Sequence, residues 1–263
     1  MCTKSHEKSI LALQLPCDRG ARHVNFARVE KILESKEVLP DILVLPEVWT
    51  VGWAPLSFAQ FAENEQGETL NFLKNLARAY SINIVGGSYI RREGNQMFNS
   101  CPIINRQGEL LAHYDKNHLF ANDGEKDVLT PGKKLLSLDI EGIQVGFSIC
   151  YDIRFPELFR SLLNTEPLPH FFINTAAWPI SRKEHYTILC RARAVENQAY
   201  FLGLSQCGES RSGASILVDP FGETVLQLAD GQGEIFAHID TQKVDSLRAE
   251  YPNIQARREY SLC

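Results

Sequence analysis

Three polar residues in this chain each follow a short apolar run that reads as a buried strand. Glu47 follows Ile42-Leu43-Val44-Leu45-Pro46, where a carboxylate leaving a buried strand is desolvated and suits a general base. Lys116 follows the run 110–113 and supplies a cation. Cys150 ends the run Gly146-Phe147-Ser148-Ile149, and Pro156, a favoured first helical residue, comes soon after. A sharp strand-to-helix turn presents a side chain outward, as a nucleophile elbow does, and the opening helix favours a thiolate. A thiol needs a base to activate it, and the tetrahedral intermediate of acyl transfer needs a positive or N–H-rich pocket. Base, cation and thiol together predict neutral-pH chemistry on an amide or a nitrile.

Each residue also has a bland reading. Glu47 reads equally as a loop carboxylate, Lys116 as a solvated lysine and Cys150 as a small core hydrophobe. His113 and His118 lie near Asp115, but they lack helical i, i+4 spacing and no Cys joins them, so no metal or other cofactor is expected.

The elements that must position these residues alternate along the chain. Apolar runs rich in β-branched residues at 9–15, 42–45, 83–90, 101–105, 110–113, 135–140, 143–149, 171–174, 200–205, 215–218, 224–228 and 234–239 predict strands. Several are continuous rather than alternating, which predicts burial on both faces. Helical spacing predicts helices over 23–35, 70–80, 156–163, 184–197 and 244–250. Turn residues Gly108, Gly142 and Asp219-Pro220-Phe221-Gly222 separate paired strands late in the pattern. The mixture predicts a large mixed sheet or two sheets with helices outside.

Composition bounds the partners. The chain has 263 residues, 44% of them hydrophobic and 22% charged, which excludes disorder and coiled coil as its main organisation. Its net charge is -5, and Arg91-Arg92 and Arg257-Arg258 are isolated pairs, so no nucleic-acid partner is expected. No run is long and apolar enough for a membrane helix, and the N-terminal segment predicts no signal peptide. Seven cysteines, at 2, 17, 101, 150, 190, 207 and 263, include no Cys-x-x-Cys pair, which argues for a cytoplasmic protein with free thiols. No composition break divides the chain, so residues 1–263 are expected to form one domain.

Five segments, in order, make the chain similar to the nitrilase, or carbon–nitrogen hydrolase, superfamily. They are Leu45-Pro46-Glu47, Tyr114-Asp115-Lys116-Asn117-His118-Leu119-Phe120, Cys150-Tyr151-Asp152-Ile153-Arg154-Phe155-Pro156-Glu157, the run 191–200 and the run 215–222. The Cys150 segment, with Ala177-Trp178-Pro179 and His185, most resembles the ω-amidase branch. The resemblance implies a four-layer α-β-β-α sandwich. It implies Glu47 as base, Lys116 as oxyanion stabiliser, Cys150 as nucleophile and Glu125 as a second, positioning carboxylate. It implies that Tyr151 contributes its backbone N–H to the oxyanion and that Trp178 walls the substrate pocket, although Trp178 reads equally as core. Arg154 either grips a substrate carboxylate or pairs with Glu157 or another buried acid, and the pairing is the expectation. A short dicarboxylate monoamide, such as 2-oxoglutaramate or 2-oxosuccinamate, is the implied substrate, and a homodimer built through 156–163 and 184–197 the implied assembly. Neighbouring branches acting on deaminated glutathione, N-carbamoyl compounds or nitriles stay open, as do a Cys–His peptidase using His118 or His185 and a non-catalytic scaffold.

Overall fold

The computed structural model describes residues 6–208 and 210–258. The first half of the chain supplies β1 (Glu7–Gln14), β2 (Ile42–Val44), β3 (Asn83–Val85), β4 (Tyr89–Glu93), β5 (Gln96–Ile104) and β6 (Leu110–Asp115). The second half supplies β7 (Ser137–Ile140), β8 (Ile143–Ile149), β9 (Phe171–Ala176), β10 (Tyr200–Ser205), β11 (Ile216–Val218) and β12 (Thr224–Gln227), which form a sheet of their own in the order β12-β11-β10-β9-β8-β7. The last strand, β13 (Gly233–Asp240), returns to pair antiparallel with β1 and completes the first sheet. In that sheet β3 and β4 follow one another along one side of β5, and β6 pairs along the other.

Each sheet buries both faces, and the central strands divide their side chains accordingly. Ile10 and Ala12 of β1 and Ile42 and Val44 of β2 join Val145, Phe147 and Ile149 of β8 in the core between the sheets. Their neighbours Leu11, Leu13, Leu43 and Leu45 point the other way, onto α1 (Arg22–Glu34) and the later helix α3 (Glu68–Tyr80). Between these helices lies the short α2 (Phe58–Phe61), and α4 (Glu125–Val128) follows β6. Beyond the second sheet, α5 (Pro156–Leu162) and α6 (Lys183–Asn197) supply Leu158, Phe159, Tyr186 and Cys190 to the same core. Helix, sheet, sheet, helix is therefore the layer order, an α-β-β-α sandwich. The two-faced burial explains the continuous apolar runs. The edge strand β13 alternates instead, with Ile235, Ala237 and Ile239 inward and Glu234, Phe236 and His238 outward.

Three departures from the sequence-based expectation have local causes. Helix α7 (Thr241–Glu250) begins three residues before the predicted Val244, because the Asp240 side chain accepts from the Gln242 N–H and caps it. The short helices α2 and α4, and the 3₁₀ turns 55–57, 150–154 and 180–182, are too brief to show a hydrophobic period. The predicted strand 83–90 is two strands, broken at Gly86-Gly87.

That break positions Glu47. After β3 the backbone turns beneath the segment leaving β2, and the Ser88 N–H donates to the Pro46 carbonyl at 3.1 Å. The Ser88 hydroxyl accepts from the Val48 N–H at 2.9 Å. Gly87 has φ +67°, and a Cβ there would lie 2.0 Å from the Pro46 carbonyl oxygen. No side chain fits that approach. Gly87→Ala is expected to cost about 3 kcal/mol or more through strain and steric clash. Its melting temperature should drop by roughly 6 °C or more for a chain of this size. An unchanged melting curve would show that this contact does not constrain the fold.

Candidate active site

Three strand ends converge at the seam between the two sheets. Glu47 leaves β2, Lys116 directly follows β6, and Cys150 directly follows β8. Lys116 is held in place through its backbone, its N–H donating to the Asn99 carbonyl at 2.9 Å and its carbonyl accepting from the Gly132 N–H at 2.8 Å. Glu125 reaches the same point from the first turn of α4. Glu47, Lys116 and Glu125 are all essentially without solvent exposure.

Their geometry is that of a buried triad of charges. The Lys116 ammonium donates to Glu47 Oε1 at 3.0 Å and to both Glu125 oxygens at 2.9 Å. It also lies 4.9 Å from the centre of the Trp53 ring. Burial pushes this ammonium down, but Glu125 and then Glu47 outweigh it and hold the group well above the ordinary lysine value. The Glu125 carboxyl is pushed up, first by burial and then by the Glu47 charge, against the pull of Lys116. Glu47 Oε2 accepts from the Ala177 N–H at 2.7 Å, and its backbone carbonyl accepts from Gln206 Nε2 at 2.6 Å. Both of those donors follow strands of the second sheet, β9 and β10.

Cys150 sits at φ +47°, in the left-handed region, at the start of the 3₁₀ turn 150–154. Such a conformation is strained for a residue with a Cβ and matches the elbow predicted from sequence. Burial pushes the thiol well above its ordinary value, Glu47 pushes it further, and Lys116 only partly opposes them. The expectation that the opening helix favours a resting thiolate is therefore corrected, because burial wins. A thiol pushed up in this way needs a base beside it to become a nucleophile. Tyr151 occupies the first turn of the 3₁₀ helix, where backbone N–H groups have no partner within the helix.

Asp152 locks the elbow to the Lys116 segment. Its Oδ2 accepts from Tyr114 Oη at 2.7 Å and from the Ile149 N–H at 3.0 Å. Its Oδ1 lies 2.8 Å from both the backbone N and Nδ1 of His118. His118 is thus engaged away from any metal, and among the described residues no cluster of three or more His, Cys, Asp or Glu could hold one.

Cys150 opens into a cleft of about 460 Å³ lined by Tyr151, Trp178, Arg154, Arg182 and Arg211. Arg154 lies over the Trp178 ring at 5.0 Å, and its Nη2 is 3.4 Å from His185 Nδ1. Among the described residues no carboxylate comes within 4.0 Å of it, so the expected pairing with Glu157 is corrected. The reason is geometric: Glu157 is exposed on the first turn of α5, away from the cleft. Trp178 lines the cleft and also packs inward, its ring stacked on Tyr186 at 4.8 Å. Sequence reasoning missed Asn99, Asp152, Arg182 and Arg211. Asn99 Nδ2 donates to Glu47 Oε1 at 2.8 Å and to Glu125 Oε1 at 3.1 Å. The polar Asn99-Ser100 step inside an otherwise apolar strand was the available signal.

A consequence follows for Lys116→Met. Removing the ammonium leaves two buried carboxylates facing each other, which costs about 3–5 kcal/mol. A carboxylate whose folded pKa is raised keeps its stability below the unfolded value and loses it as pH rises through the folded value. The variant's deficit in melting temperature should therefore be larger at pH 8 than at pH 5. An equal deficit at both values would contradict the charge cluster.

The family profile for carbon–nitrogen hydrolases matches residues 12–249. A 2-oxoglutaramate amidase of Bacillus subtilis is 29% identical over 93% of this chain and 95% of its own. A protein described as a hydrolase in the agr operon of Staphylococcus lugdunensis is 33% identical over 84% of this chain and 95% of its own. The crystal structure of Nit3 from Saccharomyces cerevisiae, a nitrilase-superfamily member, superposes with a TM-score of 0.84 at 27% identity, covering 94% of each chain. With the profile spanning all three strand-end residues and both sheets, the chain belongs to the carbon–nitrogen hydrolase family.

Proposed function

We propose that this protein is an ω-amidase, hydrolysing the terminal amide of a short dicarboxylate monoamide through a thioester on Cys150. The observation that carries this reading is the buried Glu47–Lys116–Glu125 cluster beside a buried cysteine in an arginine-lined cleft. Glu47 takes the Sγ proton as the sulfur attacks the amide carbonyl. The Lys116 charge and the Tyr151 N–H stabilise the oxyanion. Collapse expels the amine with the proton from Glu47, leaving ammonia and a thioester. Glu47 then takes a proton from water, whose oxygen attacks the thioester, and returns it to the departing sulfur. Glu125 holds Lys116 between the two carboxylates.

The substrate class follows from charge. Three guanidinium groups, Arg154, Arg182 and Arg211, line the cleft with one carboxylate, Asp123, whose Oδ2 is engaged by Trp53 Nε1 at 2.6 Å. Such a wall suits an amide whose far end is a carboxylate, and Arg154, lacking an acid of its own, is the residue we assign to grip it. The names of the relatives favour the same class, the Bacillus subtilis relative being a 2-oxoglutaramate amidase.

The test is ammonia release from 2-oxoglutaramate, 2-oxosuccinamate, neutral amides, N-carbamoyl compounds and nitriles. Cys150→Ala should lose at least roughly 10⁴-fold in turnover while staying folded. Arg154→Leu should raise KM for the carboxylated amides by about 10- to 100-fold and leave neutral amides unaffected. Ammonia release surviving Cys150→Ala, or turnover of nitriles alone, would overturn the assignment.

We further propose a cytoplasmic homodimer in which each chain works as one unit. Five free cysteines among the described residues support a reducing compartment. The described residues include no helix long and apolar enough to cross a membrane. Ile188 and Val195 stand exposed seven residues apart on α6, and Phe221 and Val225 lie exposed on and before β12, Gly222 packing near Val195. This apolar face is the contact we assign to the dimer. Light scattering should give twice the chain mass, and Ile188→Asp should reduce it to one. A monomeric wild type would refute the assembly.

A further inference from the structure

We infer that Asn99 is a positioning residue of this site, its side-chain amide holding the Glu47 and Glu125 carboxylates in register for proton exchange with Cys150. The inference rests on Glu47 acting as the base. Asn99 lies in β5, opposite Ile90 of β4, and is fully buried. Its Nδ2 donates to Glu47 Oε1 at 2.8 Å and Glu125 Oε1 at 3.1 Å. The Lys116 ammonium donates to the same two oxygens, at 3.0 and 2.9 Å. Two acceptors are thus bridged twice, once by an ammonium and once by an amide. A single bridging donor lets two carboxylates swing about it; two donors fix their separation and their orientation.

The other end of the amide argues for function over packing. Asn99 Oδ1 is buried and has no hydrogen-bond partner among the described residues. An orphaned buried acceptor is costly, and here the other end of the amide serves two buried carboxylates that offset it. Turning the amide over would aim its oxygen at two carboxylates. The carboxylates therefore dictate the orientation, and the fold accepts the orphan. Two glutamates and one lysine leave this buried cluster one negative charge in excess when both acids are ionised. Arg211, from the segment after β10, is a further cation acting on Glu47 and Cys150, and Asp123 acts in turn on Arg211. The Asn99 amide adds one neutral donor to both acids beside the single ammonium. Without it, Glu125, already pushed up by burial and by the Glu47 charge, takes up a proton more readily and Glu47 is displaced from the thiol.

The test uses Asn99→Asp, which keeps the shape and removes the donors, and Asn99→Ala, which adds no charge. Iodoacetamide labelling of Cys150, followed by peptide mapping between pH 5 and 9, reports the base without needing any substrate. Both variants should label with an acid limb moved up by about one pH unit. In the amide assay kcat should fall about 100-fold with KM nearly unchanged, since Asn99 touches no substrate. A wild-type labelling profile in either folded variant would overturn the inference, as would a loss confined to KM. So would failure of both variants to fold, which would make Asn99 a residue of the fold. If wild-type protein labels as expected yet releases no ammonia from any amide, the substrate reading fails while the Asn99 inference stands.

Discussion

A lysine ammonium without solvent exposure is the element on which this site depends. Taking one charge out of water costs several kcal/mol even after relaxation, roughly 5 kcal/mol or more per ion in an apolar interior. Lys116 is kept charged because two carboxylates meet it at hydrogen-bond distance. Each of those carboxylates is then buried too and must find its own donors. Glu47 takes the Ala177 N–H, Glu125 takes the Phe120 N–H, and Asn99 serves both. These donors come from three separate stretches of chain. One buried cation therefore dictates where several loops must lie.

The sandwich supplies those loops by ending strands from two sheets at one seam. Glu47 belongs by connectivity to the first sheet, yet its Oε2 and its carbonyl are held by residues following the second. Asp152 makes the reciprocal link, tying the Cys150 elbow to Tyr114 and His118 of the first sheet's side. Cys150 and Glu47 are thus each anchored across the seam. The elbow stores strain at a left-handed Cys150, and the network around it holds that conformation.

Much of this was legible in the chain itself. Glu47, Lys116 and Cys150 could be picked out because an apolar run ending in a polar residue marks a strand leaving the core. Continuous apolar strands showed that both strand faces must be covered, which left one large mixed sheet or two sheets open, and the family resemblance implied the two-sheet sandwich. What could not be read has a common cause. Asn99, Arg182 and Arg211 act through where their ends arrive, not through a local pattern, and a lone polar residue in a strand carries no address. The break at Gly86-Gly87 was hidden for a similar reason, as β-branched residues on both sides sustain the strand pattern across it. Arg154 is expected from sequence to pair with Glu157 or another buried acid, whereas Glu157 is exposed on the first turn of α5 and Arg154 lies over Trp178 in the cleft.

The pairing of β13 with β1 places the first strand of the chain beside the last. Register runs from Glu7 opposite Asp240 to Gln14 opposite Gly233, so the whole length of β1 relies on a partner made more than two hundred residues later. Its other neighbour, β2, covers only Ile10 to Ala12. During synthesis an apolar strand with an open edge therefore waits for more than two hundred further residues to emerge. The nascent chain spends that interval with the outer edge of β1 uncovered, so the first sheet is completed late, by β13.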